Sequence, residues 1–192
     1  MAWIDAQLVR RGIDDARVLD AMRRVPREQF VADQELAYAD EALRIGHGQT
    51  ISQPFIVALI CASLDVRPGA RVLDIGTGSG YQAAVLAELA GRVVSVERIP
   101  ELVELARANL QAAGYLDRVE LHAGNGWDGL PERAPFDAIA VAAAAPKPPP
   151  ELLAQLAPGG RLVLPVGEGD DQHLELFTKT QLAPVRFVPL VD

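Results

Sequence analysis

Cysteine is nearly absent from this 192-residue sequence, with Cys61 the only one. A single thiol cannot close an intrachain disulfide, and Cys61 lies in an apolar run, IVALICASL, so it reads as a buried small hydrophobe without a catalytic role. Histidine is also scarce. His47, His122 and His173 are scattered without ligand spacing, which leaves a metal site unsupported. Positive charge is in deficit: 18 Lys and Arg against 26 Asp and Glu give a formal net charge of -8. Such a balance disfavours a nucleic-acid backbone or an anionic membrane as partner. The stretch from Met1 to Gly12 mixes Asp5, Arg10 and Arg11 with isolated apolar residues, giving neither a signal-peptide core nor a spanning segment. A soluble, cytoplasmic chain is therefore expected. Repeats and linkers are missing too, and the only compositionally biased stretch is KPPP at Lys147 to Pro150.

What is present is an alternation of short apolar runs with longer amphipathic stretches from Val72 onward, the sequence form of a parallel sheet wrapped by helices. Strands are expected at Arg71 to Ile75, Arg92 to Val96, Val119 to His122, Asp137 to Val141 and Arg161 to Val166. Leu174 to Thr178 and Val185 to Leu190 follow too closely for a crossover helix and are expected to form an antiparallel hairpin. Helices are expected at Tyr81 to Leu89, Pro100 to Ala113 and Pro149 to Leu156, the last stopped by Gly159-Gly160. Upstream, Ile13 to Met22 and Pro54 to Leu64 read as helices, with Pro26 as a breaker between them. The pattern predicts an α/β, three-layer, Rossmann-like domain with a mostly parallel sheet of about seven strands, a C-terminal antiparallel hairpin and an N-terminal helical appendage. One domain is expected over residues 1–192, with 1–66 as the helical and loop region and 67–192 as the sheet core.

The run RVLDI passes directly into GTGSG, Gly76 to Gly80, and then into a helix. Glycines there, at the carboxyl end of the first strand, let the backbone approach a bound nucleoside closely. Alone, such a turn is also compatible with a tight strand-helix loop that binds nothing. Glu97, about twenty residues on, ends the second strand where a carboxylate can accept from ribose hydroxyls. GTGSG followed by Tyr81 is not the GxGxxG spacing that a pyrophosphate requires. Asp74 adds negative charge that would repel a diphosphate but suit a sulfonium or an ammonium. The pattern favours S-adenosyl-L-methionine over a nicotinamide dinucleotide. Gly76, Thr77, Gly78, Gly80, Asp74 and Glu97 are thus candidate cofactor residues. Asn125 and Gly126, in the AGNGWDG loop, are placed to meet the adenine, although an ordinary Asn-Gly turn has the same sequence.

GHGQTISQP, Gly46 to Pro54, packs glycines and small polar residues before an apolar helix and offers donors rather than core. With RVPREQFV, AYADEALRIGHGQTISQP, VLDIGTGSGYQAAVLAEL, APFDAIAVAAAAP, LAPGGRLVLPVG and PVRFVPL in this order, the chain resembles the protein-L-isoaspartate O-methyltransferases over nearly its whole length. The resemblance implies a class I methyltransferase that turns S-adenosyl-L-methionine into S-adenosyl-L-homocysteine and acts on isoaspartyl proteins and peptides. It implies Ser52 as the active-site residue, Gln49, Thr50 and Ile51 beside it, and Gln172 as a further polar position near the ligand. A monomer is expected. Methylation of the isoaspartyl carboxylate would create a leaving group that lets the chain reclose to a succinimide and reopen partly as aspartate, a repair step. An ionised carboxylate needs no general base, so Ser52 is expected to orient the acceptor rather than act as a nucleophile. Its alternative role is to cap the helix that begins near Pro54.

Three positions depart from the family pattern: Asn125 in place of aspartate, Arg44 in place of proline, and a short connection from Thr178 to Pro184. Three other readings stay open: a carboxyl methyltransferase with a different acceptor, a cofactor-binding homologue without turnover, and, more remotely, a nicotinamide oxidoreductase, which the glycine spacing disfavours.

Overall fold

A computed structural model describes residues 3–169 and 171–180. Helix α1, Ala16–Arg24, begins where the Asp15 carboxylate accepts the Arg17 N–H at 2.8 Å. That cap moves the start three residues past the expected Ile13. Its buried face, Val18, Leu19, Ala21 and Met22, turns inward, and the residue before Pro26 is forced to extended geometry, which ends it. Strands β1, Leu43–Gly46, and β2, Gln49–Ile51, form an antiparallel ribbon. Helix α2 spans Pro54–Leu64, with Pro54 in its first turn and Asp65 in the left-handed region at its end.

The main sheet follows. Its strands are β3 Val72–Ile75, β4 Val93–Glu97, β5 Val119–Ala123, β6 Phe136–Val141, β7 Leu156–Glu168 and β8 Asp171–Thr178. Helices α3, Tyr81–Ala90, α4, Pro100–Ala112, and α5, Pro150–Ala154, lie between them. The order is β5-β4-β3-β6-β7-β8, parallel except for β8, which pairs antiparallel with β7. All four residues of β3 are buried, as expected of a central parallel strand covered on both faces. The chain leaves β3 for β4 on one side and later places β6 on the other. The carboxyl end of β3 is therefore the switch point at which open α/β sheets bind ligands.

The core has two parts. On one face, Ile4, Leu8, Met22 and Phe30 from the N-terminal region pack with α2, α3 and residues such as Ala138, Ala140 and Val163 of the sheet. On the other, Leu73, Ile75, Ile139 and Leu162 pack with Leu130 and α5.

One expectation needs correction. Residues 156–160 are not the end of a helix: α5 stops at Ala154, and Leu156 already pairs with Phe136. A Cβ on Gly160 would come within 2.9 Å of the Ala157 and Phe136 carbonyl oxygens, so this glycine fits tight strand packing rather than a helix stop. The sheet holds six strands among the described residues. Leu174 to Thr178 pairs antiparallel with β7, with Glu168 of β7 opposite Asp171 of β8, while the expected partner Val185 to Leu190 lies outside the described residues.

Candidate active site

The turn after β3 is fixed by backbone bonds. The Gly76 N–H donates to the Val96 carbonyl at 2.9 Å and the Gly80 N–H to the Thr77 carbonyl at 2.8 Å. Gly78 sits at φ 53°, and a Cβ there would lie 3.2 Å from Ile45 Cδ1, so β1 closes over the turn where Gly78 carries no side chain. Glu97, at the end of β4, is buried. Its Oε2 accepts the Gly78 N–H and its Oε1 the Ile99 N–H, each at 3.0 Å. A carboxylate has about four acceptor positions. Two remain for hydroxyl donors.

Around these groups lies a cavity of about 390 Å³, lined among others by Gln49, Thr50, Gly76, Gly78, Glu97, Asn125 and Gly126. That volume falls within the range of roughly 300–1,000 Å³ usual for small-molecule sites. A smaller hollow of about 30 Å³ adjoins it at Thr50, Gly76 and Gly78, and there Ile51 and Ser52 meet Thr77 and Gln82. A larger cleft, about 630 Å³, opens at the amino ends of β3, β4 and β5 beside Arg71, Arg92, Arg118 and Arg133. Neither the glycine turn nor Glu97 reaches it, so the carboxyl-end cavity is the candidate site.

The sequence-derived residues divide into groups. Ser52, Gln49, Thr50, Ile51, Gly76, Gly78, Glu97, Asn125 and Gly126 line one or both carboxyl-end hollows. Gly126 fits closely, since a Cβ would stand 2.4 Å from Ile75 Cγ2. Asn125 also makes local bonds: its Oδ1 accepts the Trp127 N–H at 3.2 Å, and its Nδ2 donates to Asp128 at 3.1 Å. Asp74 and Gly80 line neither hollow. Asp74 is fully buried and accepts from Gln82 Nε2 at 2.8 Å and from Ser95 Oγ at 2.7 Å, and Ser95 Oγ lies 2.6 Å from Thr77 Oγ1. Burial pushes the Asp74 carboxyl above the usual range, against these two donors. Gly80 faces Leu110 of α4 instead of the cavity. Gln172 stands on exposed β8, donates to the Gly169 carbonyl at 2.8 Å and lines neither hollow.

Ser52 does not cap α2. Gln53 occupies the cap position, and Asp40 Oδ1 takes the Phe55 N–H at 3.0 Å from across the ribbon. Sequence reasoning also missed Gln82, whose Oε1 is a buried acceptor without a partner among the described residues and which borders the small hollow. Its signal was available in Gln82 following the glycine turn by two residues. Trp127, on the rim of the larger cavity, was equally visible beside Asn125-Gly126.

The arrangement supplies a glycine-walled cleft, a pinned carboxylate and a hydroxyl-bearing segment at one sheet end. Residues 3–192 match the model of the family described as protein-L-isoaspartate(D-aspartate) O-methyltransferase. The chain belongs to that family. It is 53% identical over 199 residues to the protein-L-isoaspartate O-methyltransferase of Aeropyrum pernix, covering 96% of this chain and 76% of that one. With protein-L-isoaspartate O-methyltransferase 2 of Marinobacter nauticus it shares 54% identity over 201 residues, 99% of this chain and 91% of the relative. A Plasmodium falciparum crystal structure, assigned as a protein-L-isoaspartate O-methyltransferase in complex with S-adenosyl-L-homocysteine, superposes with a TM-score of 0.84. The two are 31% identical, over 94% of this chain and 89% of that one.

The residues present fit S-adenosyl-L-methionine. Glu97 retains acceptor capacity for ribose hydroxyls, Gly76 and Gly78 leave room for close approach, and the orphaned Gln82 Oε1 suits a donor such as an ammonium. No group of three or more His, Cys, Asp or Glu able to hold a metal occurs among the described residues.

Proposed function

We propose that this enzyme transfers a methyl group from S-adenosyl-L-methionine to the free α-carboxylate of isoaspartyl residues in damaged proteins and peptides, with Ser52 orienting the acceptor. The observation that carries the assignment of Ser52 is its place in one hollow with Gly76, Thr77 and Gly78, next to the cavity that Glu97 and Asn125 line. Glu97 holds the ribose, Gly76 and Gly78 the amino-acid end, and Asn125 with Gly126 meets the base. Thr77 lines the small hollow and is tied to Ser95 behind it, while Asp74 and Gly80 serve from behind: the first locks Gln82, and the second seats α3 against α4. Gln49, Thr50 and Ile51 form the acceptor side. Gln172 is given no role.

When bound, the cofactor supplies an electrophilic methyl group on a sulfonium. The protein's part is geometric. An acceptor carboxylate is ionised at neutral pH and brings its own electron pair, so no side chain has to remove a proton. The Ser52 hydroxyl donates to one carboxylate oxygen and leaves the other free to attack in line. Packing of buried Ile51 and half-buried Ser52 beside the glycine turn limits the water that reaches the acceptor. Attack of the neighbouring backbone nitrogen on the resulting ester carbonyl expels methanol and closes a succinimide, which hydrolyses in part to normal aspartate. Among the described residues no helix is long and apolar enough to cross a membrane. The core shared by the N-terminal region and the sheet supports a single domain, and we read the acidic enzyme as a cytoplasmic monomer acting without nucleic acid.

The test is methyl transfer from a tritiated donor to an isoaspartyl peptide and to its aspartyl twin. The reading requires incorporation into the first only. Equal labelling of both, or of neither, contradicts it.

A further inference from the structure

Arg27 lines neither hollow, yet it grips the backbone of the segment that does. It is fully buried and heads the largest of the fully buried side chains. Its Nε donates to the Ala37 carbonyl at 2.7 Å and its Nη2 to the Ser52 carbonyl at 2.8 Å, while its Cζ sits 4.7 Å above the centre of the Tyr81 ring. No carboxylate pairs with it among the described residues, and its Nη1 has no partner there.

For stability alone this is a poor arrangement. A guanidinium taken out of water and given two carbonyls and a ring face recovers only part of its hydration, and burial accordingly pulls its pKa down. An apolar side chain of similar volume would fill the space at lower cost. What such a residue would lack is the rigid fork. Two edges of one planar group fix two carbonyls from separate segments in a set geometry, whereas an ammonium holds its donors on one nitrogen without that fork and an aliphatic chain has none. One of those carbonyls belongs to Ser52. The stacked ring belongs to Tyr81, the first residue of α3 after the glycine turn, and it borders the same small hollow as Ser52. Arg27 therefore ties the acceptor segment to the wall of the cofactor cleft through one rigid group. Its grip is on the Ser52 carbonyl, and the Ser52 hydroxyl remains available to the hollow.

We propose that Arg27 is a positioning residue for methyl transfer, acting through Ser52, whose carbonyl it holds against the Tyr81 side of the cleft. The proposal rests on the reading that Ser52 orients the acceptor carboxylate. Displacing a reacting group by even about 1 Å can cost on the order of 100-fold in rate.

The experiment compares Arg27→Lys and Arg27→Met, each alone and combined with Ser52→Ala. It measures kcat and KM on an isoaspartyl peptide, S-adenosyl-L-homocysteine affinity by calorimetry, and Tm. Arg27→Lys keeps the charge and a donor nitrogen but loses the planar fork. It should lower kcat/KM about tenfold and leave S-adenosyl-L-homocysteine affinity within about twofold. In the Ser52→Ala background the same change should cost less than about twofold, because the group it positions is gone. Arg27→Met should show the same pattern with a larger loss, and if it fails to fold the lysine pair decides alone. A tenfold loss in both backgrounds, no loss in either, or cofactor affinity falling in step with rate would overturn the proposal. Wild-type protein without isoaspartyl activity would instead bring down the reading beneath it.

Discussion

Replacing Glu97 by glutamine barely alters the side chain's shape but reverses half of its hydrogen-bonding character. The carboxylate spends one acceptor position on the Gly78 N–H and one on the Ile99 N–H, both at 3.0 Å from opposite oxygens. Glutamine offers a single oxygen, so one backbone N–H must face an NH₂ group, and the two free positions proposed for ribose shrink to one. A hydrogen bond to a charged group contributes about 1.5–3 kcal/mol, so the loss of one converts to roughly a 10- to 150-fold rise in Kd. Titration calorimetry with S-adenosyl-L-homocysteine measures this directly, with Tm recorded to show that the fold persists. Binding within threefold of wild type would refute the assignment of Glu97 to the cofactor.

Ser52→Ala should reduce kcat/KM on an isoaspartyl peptide by roughly 10- to 100-fold, with Tm almost unchanged because Ser52 caps no helix. A large fall in Tm would recast it as structural. Asp40→Ala removes the acceptor from the Phe55 N–H and the partner of Arg11. It should lower stability by about 1 kcal/mol and Tm by about 2–4 °C in thermal denaturation; an unchanged Tm would show that α2 needs no remote cap. Cys61 is buried and its thiol is pushed well above the usual range by burial. A thiol reagent at pH 8 should therefore label it only in denaturant, and rapid labelling of the native protein would contradict the packing.

The central strands β3 and β4 were legible because they are buried on both faces and so read as mostly apolar runs. Val72–Ile75 and Val93–Glu97 fell within a residue of expectation. Helix α2 was legible at both ends, since Pro54 favours its first turn and apolar residues continue to Leu64. The β1-β2 ribbon was not seen, although its turn left a trace: His47 and Gly48 both take positive φ, 51° and 71°, the two-residue hairpin signature. The cavity-lining glycines and Glu97 could be found from local spacing around the strand ends. Asp74 and Gly80 could not be placed that way, because the same motif supplies ligand-facing and core-facing positions, and only packing against Ser95 or Leu110 separates them. Asp40 and Arg27 escaped for a related reason. Their partners lie 15 and 25 residues away, at Phe55 and Ser52, in contacts that leave no periodicity in sequence.

The central claim is that the acceptor segment before the sheet and the cofactor cleft at its carboxyl edge form one reaction chamber. A crystal structure with S-adenosyl-L-homocysteine tests this most directly. The ribose should lie on Glu97, the adenine beside Asn125 and Gly126, and the sulfur should turn toward the hollow that Ser52 borders. A thioether facing away from Thr50 to Ser52, or a nucleoside seated at the arginine-lined cleft on the opposite edge, would contradict it.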